Sequence, residues 1–356
     1  TKLLSGFDKR VNLIVLGQNR YDDILFIRNL IKLRKKIKEI NPDLIIALQS
    51  LSDYLRIALI GIDKKYVLYK YTSLFYLAND TMKYSILHKK KYNQLVNSLL
   101  SYKETIDHKW NPKFKYRILN EYFAFRDWIG TRGAKYVLTL TSKSKSELSM
   151  LYNIDPLVWT PGHSFDQSKI LGKEIINDMK KKYGFKNDEK IILSVNRLEY
   201  RKRVGLAIDG FHLFSKENEK IKLVIVGVGE EENMLKEKVN NYGLNDSVVF
   251  AGLVSDQDLI NYYNISDICI SMIWGSWALS VIEPLFFNKY QIISNEVPDL
   301  LSDVPNLIKV PPTPEGVFNG LIQAKKKKLK NSAEIMSKNY NWKKVTKNML
   351  SLVGYS

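Results

Sequence analysis

Three groups of residues in the second half of this 356-residue chain have types and spacing that could do chemistry. In the first, Ser194-Val-Asn-Arg197-Leu198 closes an apolar run, and Lys202 stands five positions after Arg197. Two cations just ahead of a helix suit a diphosphate, because the helix dipole and its free N–H groups add to their charge. A basic loop is also ordinary solvated surface, so the pair alone says little. The second group is Gly227-Val-Gly229 after a Val/Ile strand. Glycine lets a backbone come close to a ligand, but a tight turn explains it equally. Glu232 stands where a dinucleotide fingerprint needs its third glycine. Further on, Val249-Phe-Ala-Gly252 reads as a core strand and turn. The third group, Trp274-Gly275-Ser276-Trp277-Ala278-Leu279-Ser280, opens a helix with small residues. Its N–H groups suit phosphate or sugar oxygens. Glu283 lies in that helix among Val281, Ile282, Leu285 and Phe286, where a carboxylate is costly without a partner. Its two oxygens could accept from the vicinal hydroxyls of a ribose.

Other chemistries find less support. The four histidines, His88, His108, His163 and His212, have no metal-ligand spacing. His212 reads as structural, whereas His163 directly follows Pro161-Gly162. One cysteine, Cys269, excludes a disulfide framework and a cysteine-rich metal site. Asp256-Gln-Asp258 fits a helix start better than a metal site. No nucleophile elbow supports a Ser-His-Asp order.

Strand and helix signals alternate along most of the chain, which is the α/β pattern. Strands are expected at Asn12–Gly17, Leu44–Leu48, Tyr66–Tyr71 and Tyr136–Leu140, with helices at Asp23–Ile40 and Ser142–Leu151. Residues 80–130 are rich in Lys, Tyr and Leu at helical periods and contain no clear strand. From Ile191 the order is strand, helix, strand through Gln291–Ser294, which implies a parallel sheet with covering helices. Hydrophobic residues make up 45% of the chain, enough for full cores. No apolar run reaches transmembrane length and no signal peptide is visible, although residue 1 is Thr. Net charge is +18, carried almost wholly by residues 1–150, where 28 Lys and Arg face 13 Asp and Glu. That asymmetry points to an anionic partner such as a membrane surface, or to a lysine-rich solvated surface. The cations form no nucleic-acid reader module, so nucleic acid is not the expected partner.

In order and spacing, the second-half motifs resemble the nucleotide-sugar half of glycosyltransferase family 4, retaining enzymes of the GT-B fold. Pro161-Gly162 resembles the opening of the family's donor domain. Arg197 and Lys202 match its diphosphate-binding pair, Gly252 a strand-turn glycine, and Leu279 a residue whose backbone helps hold the diphosphate. Glu283 matches the second Glu of the Glu-x7-Glu motif, which usually holds the ribose. Gly275 stands where the first Glu, the one that touches the donor sugar, is expected. Asn341-Trp342 resembles the start of a C-terminal helix that crosses back to the first domain.

The resemblance implies two Rossmann-like parallel-sheet domains facing across a cleft. Residues 1–160 would form a basic acceptor side enlarged at 80–130, and 161–340 the donor domain. Residues 341–356 would form the returning helix. It implies a metal-independent retaining hexosyltransferase with no cofactor, using a nucleoside-diphosphate sugar as donor and a glycan or lipid-linked acceptor. Arg197 and Lys202 would be catalytic. Donor contacts would come from Glu283, Gly227, Gly229, Gly252, Gly275, Ser276, Trp277, Ala278, Leu279 and Ser280. Pro161, Gly162 and His163 would line the cleft. The expected location is cytoplasmic and peripheral at the inner face of a membrane. The alternatives are a non-catalytic GT-B protein that binds a nucleotide-sugar and, less favoured, a basic nucleic-acid binder.

Overall fold

The computed structural model describes residues 26–48, 52–70, 114–163, 169–273, 278–297, 301 and 304–355. The strand expected at Asn12–Gly17 and most of the 80–130 region lie outside them. Two compact units form. Of the described residues, one holds 26–139 and 147–157, and the other holds 140–146 and 158–355.

The first unit has a four-stranded sheet in the order β1 (Ile45–Leu48), β2 (Tyr66–Lys70), β3 (Tyr136–Thr139), β4 (Leu157–Val158). The first three strands pair in parallel. Four helices accompany them: α1 (Phe26–Ile40), α2 (Ser52–Ala58), α3 (Phe114–Gly133) and α4 (Ser142–Tyr152), of which residues 147–152 belong to this unit. Leu68 and Leu138 are fully buried at the centre of the sheet. Arg34 on α1 donates to the carbonyls of Ala58 (2.7 Å) and Ile60 (2.5 Å), satisfying acceptors left open where α2 ends. Lys70 closes β2 inside the unit. Its ammonium meets both oxygens of Asp127 on α3 (2.6 and 2.7 Å), and the Tyr152 hydroxyl donates to the same carboxylate. A lysine buried this deeply is tolerable because it is paired.

In the second unit the sheet has six parallel strands: β5 (Lys190–Val195), β6 (Ile221–Val226), β7 (Val248–Gly252), β8 (Ile268–Ser271), β9 (Tyr290–Ser294) and β10 (Leu307–Val310). Their spatial order is β10-β9-β8-β5-β6-β7. Alternate residues along the strands feed opposite faces, as the pleat requires. Ile192, Leu223, Ile225, Ile270 and Ile292 pack beneath α6 (Val204–Ser215), α7 (Glu232–Asn241) and α10 (Pro314–Lys326). Ile191, Leu193, Val224, Val226 and Cys269 pack beneath α8 (Asp256–Ile265), α9 (Leu279–Phe286) and α11 (Ser332–Asn339). Both faces are covered, so the strands read as continuous apolar runs. Burial pushes the Cys269 thiol up to about 12, which leaves it an inert core residue. Two more helices, α5 (Lys173–Lys182) and α12 (Trp342–Leu352), complete the unit. Among the described residues no helix is long and apolar enough to cross a membrane.

Candidate functional site

Numbered within the second unit, the sheet runs 3-2-1-4-5-6, the doubly wound Rossmann order. β5 and β8 are neighbours, yet the chain leaves them for helices on opposite faces, α6 and α9. A crevice at the carboxyl ends of such strands is where open α/β sheets bind ligands. Polar side chains tie the two exits together: the Asn196 amide lies 3.3 Å from the Ser194 hydroxyl and 3.4 Å from the Ser271 hydroxyl.

After β5 the chain passes through Arg197 and a single 3-10 turn, Tyr200–Lys202, into α6. Arg197 is 77% exposed and pairs with Glu199 at 2.9 Å. Burial holds the Lys202 ammonium below its ordinary pKa. Glu199 opposes that shift, and the neighbouring Arg197 and Arg201 add to it. Three cations in six positions repel one another in this loop, and a bound anion would relieve them. The starts of α6 and α9 lack a side-chain cap, unlike those of α8 and α10. Helix starts without a side-chain cap can donate first-turn N–H groups to an anionic ligand.

Gly227 and Gly229 have a packing reason. A Cβ on Gly227 would lie 1.9 Å from the Asn196 carbonyl oxygen, and one on Gly229 would lie 2.3 Å from that of Leu198. The loops after β5 and β6 are laced together by Asn196 N–H to Val226 O and Leu198 N–H to Val228 O, both 3.0 Å. Gly252, at the end of β7, accepts from Gly227 N–H at 2.8 Å. These glycines hold the cation loop in place from beneath. On the same edge Tyr200, Val228, Leu253 and Leu279 are exposed apolar side chains, Leu253 most of all.

Glu283 sits in the second turn of α9 with its side chain 19% exposed. Its Oε2 accepts from the hydroxyl of Tyr263 on α8 at 2.7 Å. Burial and the adjacent carboxylate raise the Tyr263 pKa well above its usual value, so the hydroxyl remains a donor throughout the physiological range. Its Oε1 lies 3.6 Å from His163 Nε2, too long for a hydrogen bond. His163 is placed by its N–H to Tyr340 O (2.8 Å) and by its ring against Phe286, 5.0 Å between centroids. Gly162 lets this segment lie flat on α12, since a Cβ there would meet the Trp342 backbone at 2.7 Å. Were Glu283 to hold a ribose, Tyr263→Phe should weaken nucleoside binding about tenfold by removing the hydrogen bond that steadies the carboxylate. Glu283→Gln should do at least as much, and both should leave pyrophosphate binding unchanged. Calorimetric titration of each ligand checks this.

Arg197 and Lys202 thus leave β5, while Ala278, Leu279, Ser280 and Glu283 follow β8. Gly227, Gly229 and Gly252 support them, and His163 approaches Glu283. Pro161 precedes Gly162 on the same segment. Gly275, Ser276 and Trp277 lie outside the described residues. A hollow of about 340 Å³ lies elsewhere, between Val158–Thr160 and α12, and is lined by none of these residues. Among the described residues no three His, Cys, Asp or Glu side chains gather as a metal site. Asn196 and Tyr263 were not visible as site residues from the sequence. Each is defined by a partner on another element.

The family model described as glycosyl transferases group 1 matches residues 175–340. Over 99 residues the chain is 34% identical to the alpha-monoglucosyldiacylglycerol synthase of Streptococcus pneumoniae, covering 28% of this chain and 22% of that one. Over 116 residues it is 30% identical to the mannosylfructose-phosphate synthase of Agrobacterium fabrum, covering 30% and 25%. The chain therefore spans about a quarter of the length of these relatives. The structure of Anabaena HepE in complex with UDP and glucose superposes with a TM-score of 0.64 at 14% identity, over 96% of this chain and 84% of that one. The matched segment, residues 175–340, is a little under half of the chain and is similar to the group 1 glycosyltransferases, and the two parallel-sheet units have the GT-B fold of the superposed structure.

Proposed function

We propose that this protein is a metal-independent retaining glycosyltransferase that moves a sugar from a nucleoside-diphosphate sugar to a hydroxyl acceptor at an anionic membrane surface. The observation that carries the donor half of the reading is the β5/β8 switch point, where cations, open helix starts and Glu283 share one sheet edge. A nucleoside diphosphate leaves readily only if its growing charge is stabilised. Arg197, Lys202 and the N–H groups at the start of α9 are suited to that without a metal. Glu283, steadied by Tyr263, would take the ribose hydroxyls, and the exposed apolar rim would close over the base. No cofactor beyond the donor is needed. In this reading residues 1–160 serve the acceptor, 161–340 the donor, and the C-terminal helix at 341–356 supports the donor domain through Gly162.

The membrane half rests on the charge of residues 1–150 and on α1, where Lys32, Lys35 and Lys38 are exposed beside an exposed Ile31. The S. pneumoniae relative is, by its name, a synthase of a glycolipid. Each lysine near an anionic bilayer contributes about 1 kcal/mol. Replacing all three by Gln should therefore weaken binding to phosphatidylglycerol vesicles about a hundredfold, read by flotation. Equal binding to zwitterionic vesicles would remove the membrane claim. For the donor, a thermal-shift screen with UDP-, GDP-, ADP- and TDP-sugars should give one clear rise in melting temperature. Turnover of that sugar would then be measured directly. Binding without any transfer or hydrolysis would favour the non-catalytic alternative.

A further inference from the structure

One buried ion pair, Arg203 with Glu296, lies beside this site and contacts none of its proposed donor groups. Arg203 follows Lys202 directly and stands at φ 49°, ψ 42°, in the left-handed region that residues with a Cβ avoid. Its Nη1 donates to Glu296 Oε2 at 2.6 Å, and the two side chains are 8% and 2% exposed. Glu296 lies just past β9, where its N–H donates to the Ser294 hydroxyl at 3.1 Å. The Arg203 carbonyl accepts from Leu206 N–H at 3.0 Å, so Arg203 also starts α6.

The pair is poorly explained as a stabiliser. Arg203 Nη2 and Glu296 Oε1 are both buried without a hydrogen-bond partner. A half-satisfied interior ion pair is often no better for stability than apolar residues of the same volume. What the pair does is mechanical. The first half of the cation loop, 196–198, is laced to the loop after β6. The second half closes on itself through Lys202 N–H to Glu199 O (2.8 Å) and Arg203 N–H to Tyr200 O (3.2 Å). The Arg203 side chain ties that turn to the carboxyl end of β9 on the other side of the switch point. We propose that Arg203 and Glu296 are a positioning pair, which fixes where Lys202 presents its ammonium to a diphosphate. This rests on the reading of 197–202 as a diphosphate loop.

The test compares wild type with R203G, E296Q, R203K and the double variant R203G/E296Q. Each is titrated calorimetrically with UDP, GDP, ADP and TDP, then with the nucleoside of whichever binds. Glycine takes the left-handed conformation freely, so R203G removes the tie without adding backbone strain. Each variant should lose about tenfold in diphosphate affinity and keep nucleoside affinity within about twofold, with R203K losing least. The double variant leaves no lone buried charge, so it should recover thermal stability while diphosphate affinity stays low. If nucleoside and diphosphate affinity fall together, or if the double variant regains diphosphate affinity, the pair merely supports the fold and the inference is wrong. If wild type binds none of the four diphosphates, the donor-site reading fails and takes the inference with it. Wild-type-like diphosphate affinity in every variant would sink the inference alone.

Discussion

Lys202→Ala is expected to slow sugar transfer by about 10²- to 10³-fold, roughly 3–4 kcal/mol of transition-state stabilisation, as for loss of one donor to a developing oxyanion. The melting temperature should stay level or rise. The reason is the sign of the Lys202 shift: burial, with help from Arg197 and Arg201, holds its pKa below the unfolded value. In the window between the folded and unfolded pKa the unfolded chain binds more protons, so stability rises with pH there. Below that window the folded state carries the whole penalty for the charge, and removing the ammonium removes that penalty. Arg197→Ala should cost less, because Arg197 is far more exposed and already paired with Glu199. Initial rates at saturating donor, alongside thermal melts, separate the two effects. A Lys202→Ala enzyme with wild-type turnover would move the leaving-group contact elsewhere.

The second large effect concerns the fold beneath the site. Gly227→Ala should destabilise the protein by about 2–5 kcal/mol, adding strain at a positive φ to overpacking against backbone. Gly227 has φ 132°, and its Cβ would collide with the Asn196 carbonyl, which no rotamer change can move aside. For a domain of this size the melting temperature should drop on the order of 10 °C. Gly252→Ala makes a sharp control. Gly252 also has positive φ, at 67°, but a Cβ there meets nothing within 4 Å. It should lose only about 1–2 kcal/mol, the cost of the left-handed conformation. Equal losses at 227 and 252 would mean that the loops after β5 and β6 are not in the contact described.

Element by element, the second unit was readable in advance wherever strand periodicity was strong. The strand expected at Gln291–Ser294 is β9, one residue longer, and the strand series expected from Ile191 opens with β5, which starts at Lys190. Buried parallel strands declare themselves because both faces demand apolar residues. No helix was expected at α5, KEIINDMKKK, where only Ile175, Ile176 and Met179 are apolar in ten residues. No strand was expected at β10, where Lys309 interrupts a four-residue strand. Nor was α2 expected, a helix of seven residues. Short elements carry too few positions for a period to register.

Residue types and local spacing marked Glu283 as a candidate, because a carboxylate in an apolar helix is an anomaly in one dimension, whereas Arg197 and Lys202 stood out from ordinary basic surface only through their order with the other motifs. The sequence could also determine that both sheets are parallel, since alternating strands and helices allow little else. Which side chain steadies Glu283, why 227 must be glycine, and what Arg203 grips were decided only in three dimensions. Tyr263 lies 20 positions from Glu283, and Glu296 lies 93 from Arg203. Contacts of that span depend on the order in which strands lie side by side. That order is set by packing of the whole sheet and leaves no mark on any local stretch of chain.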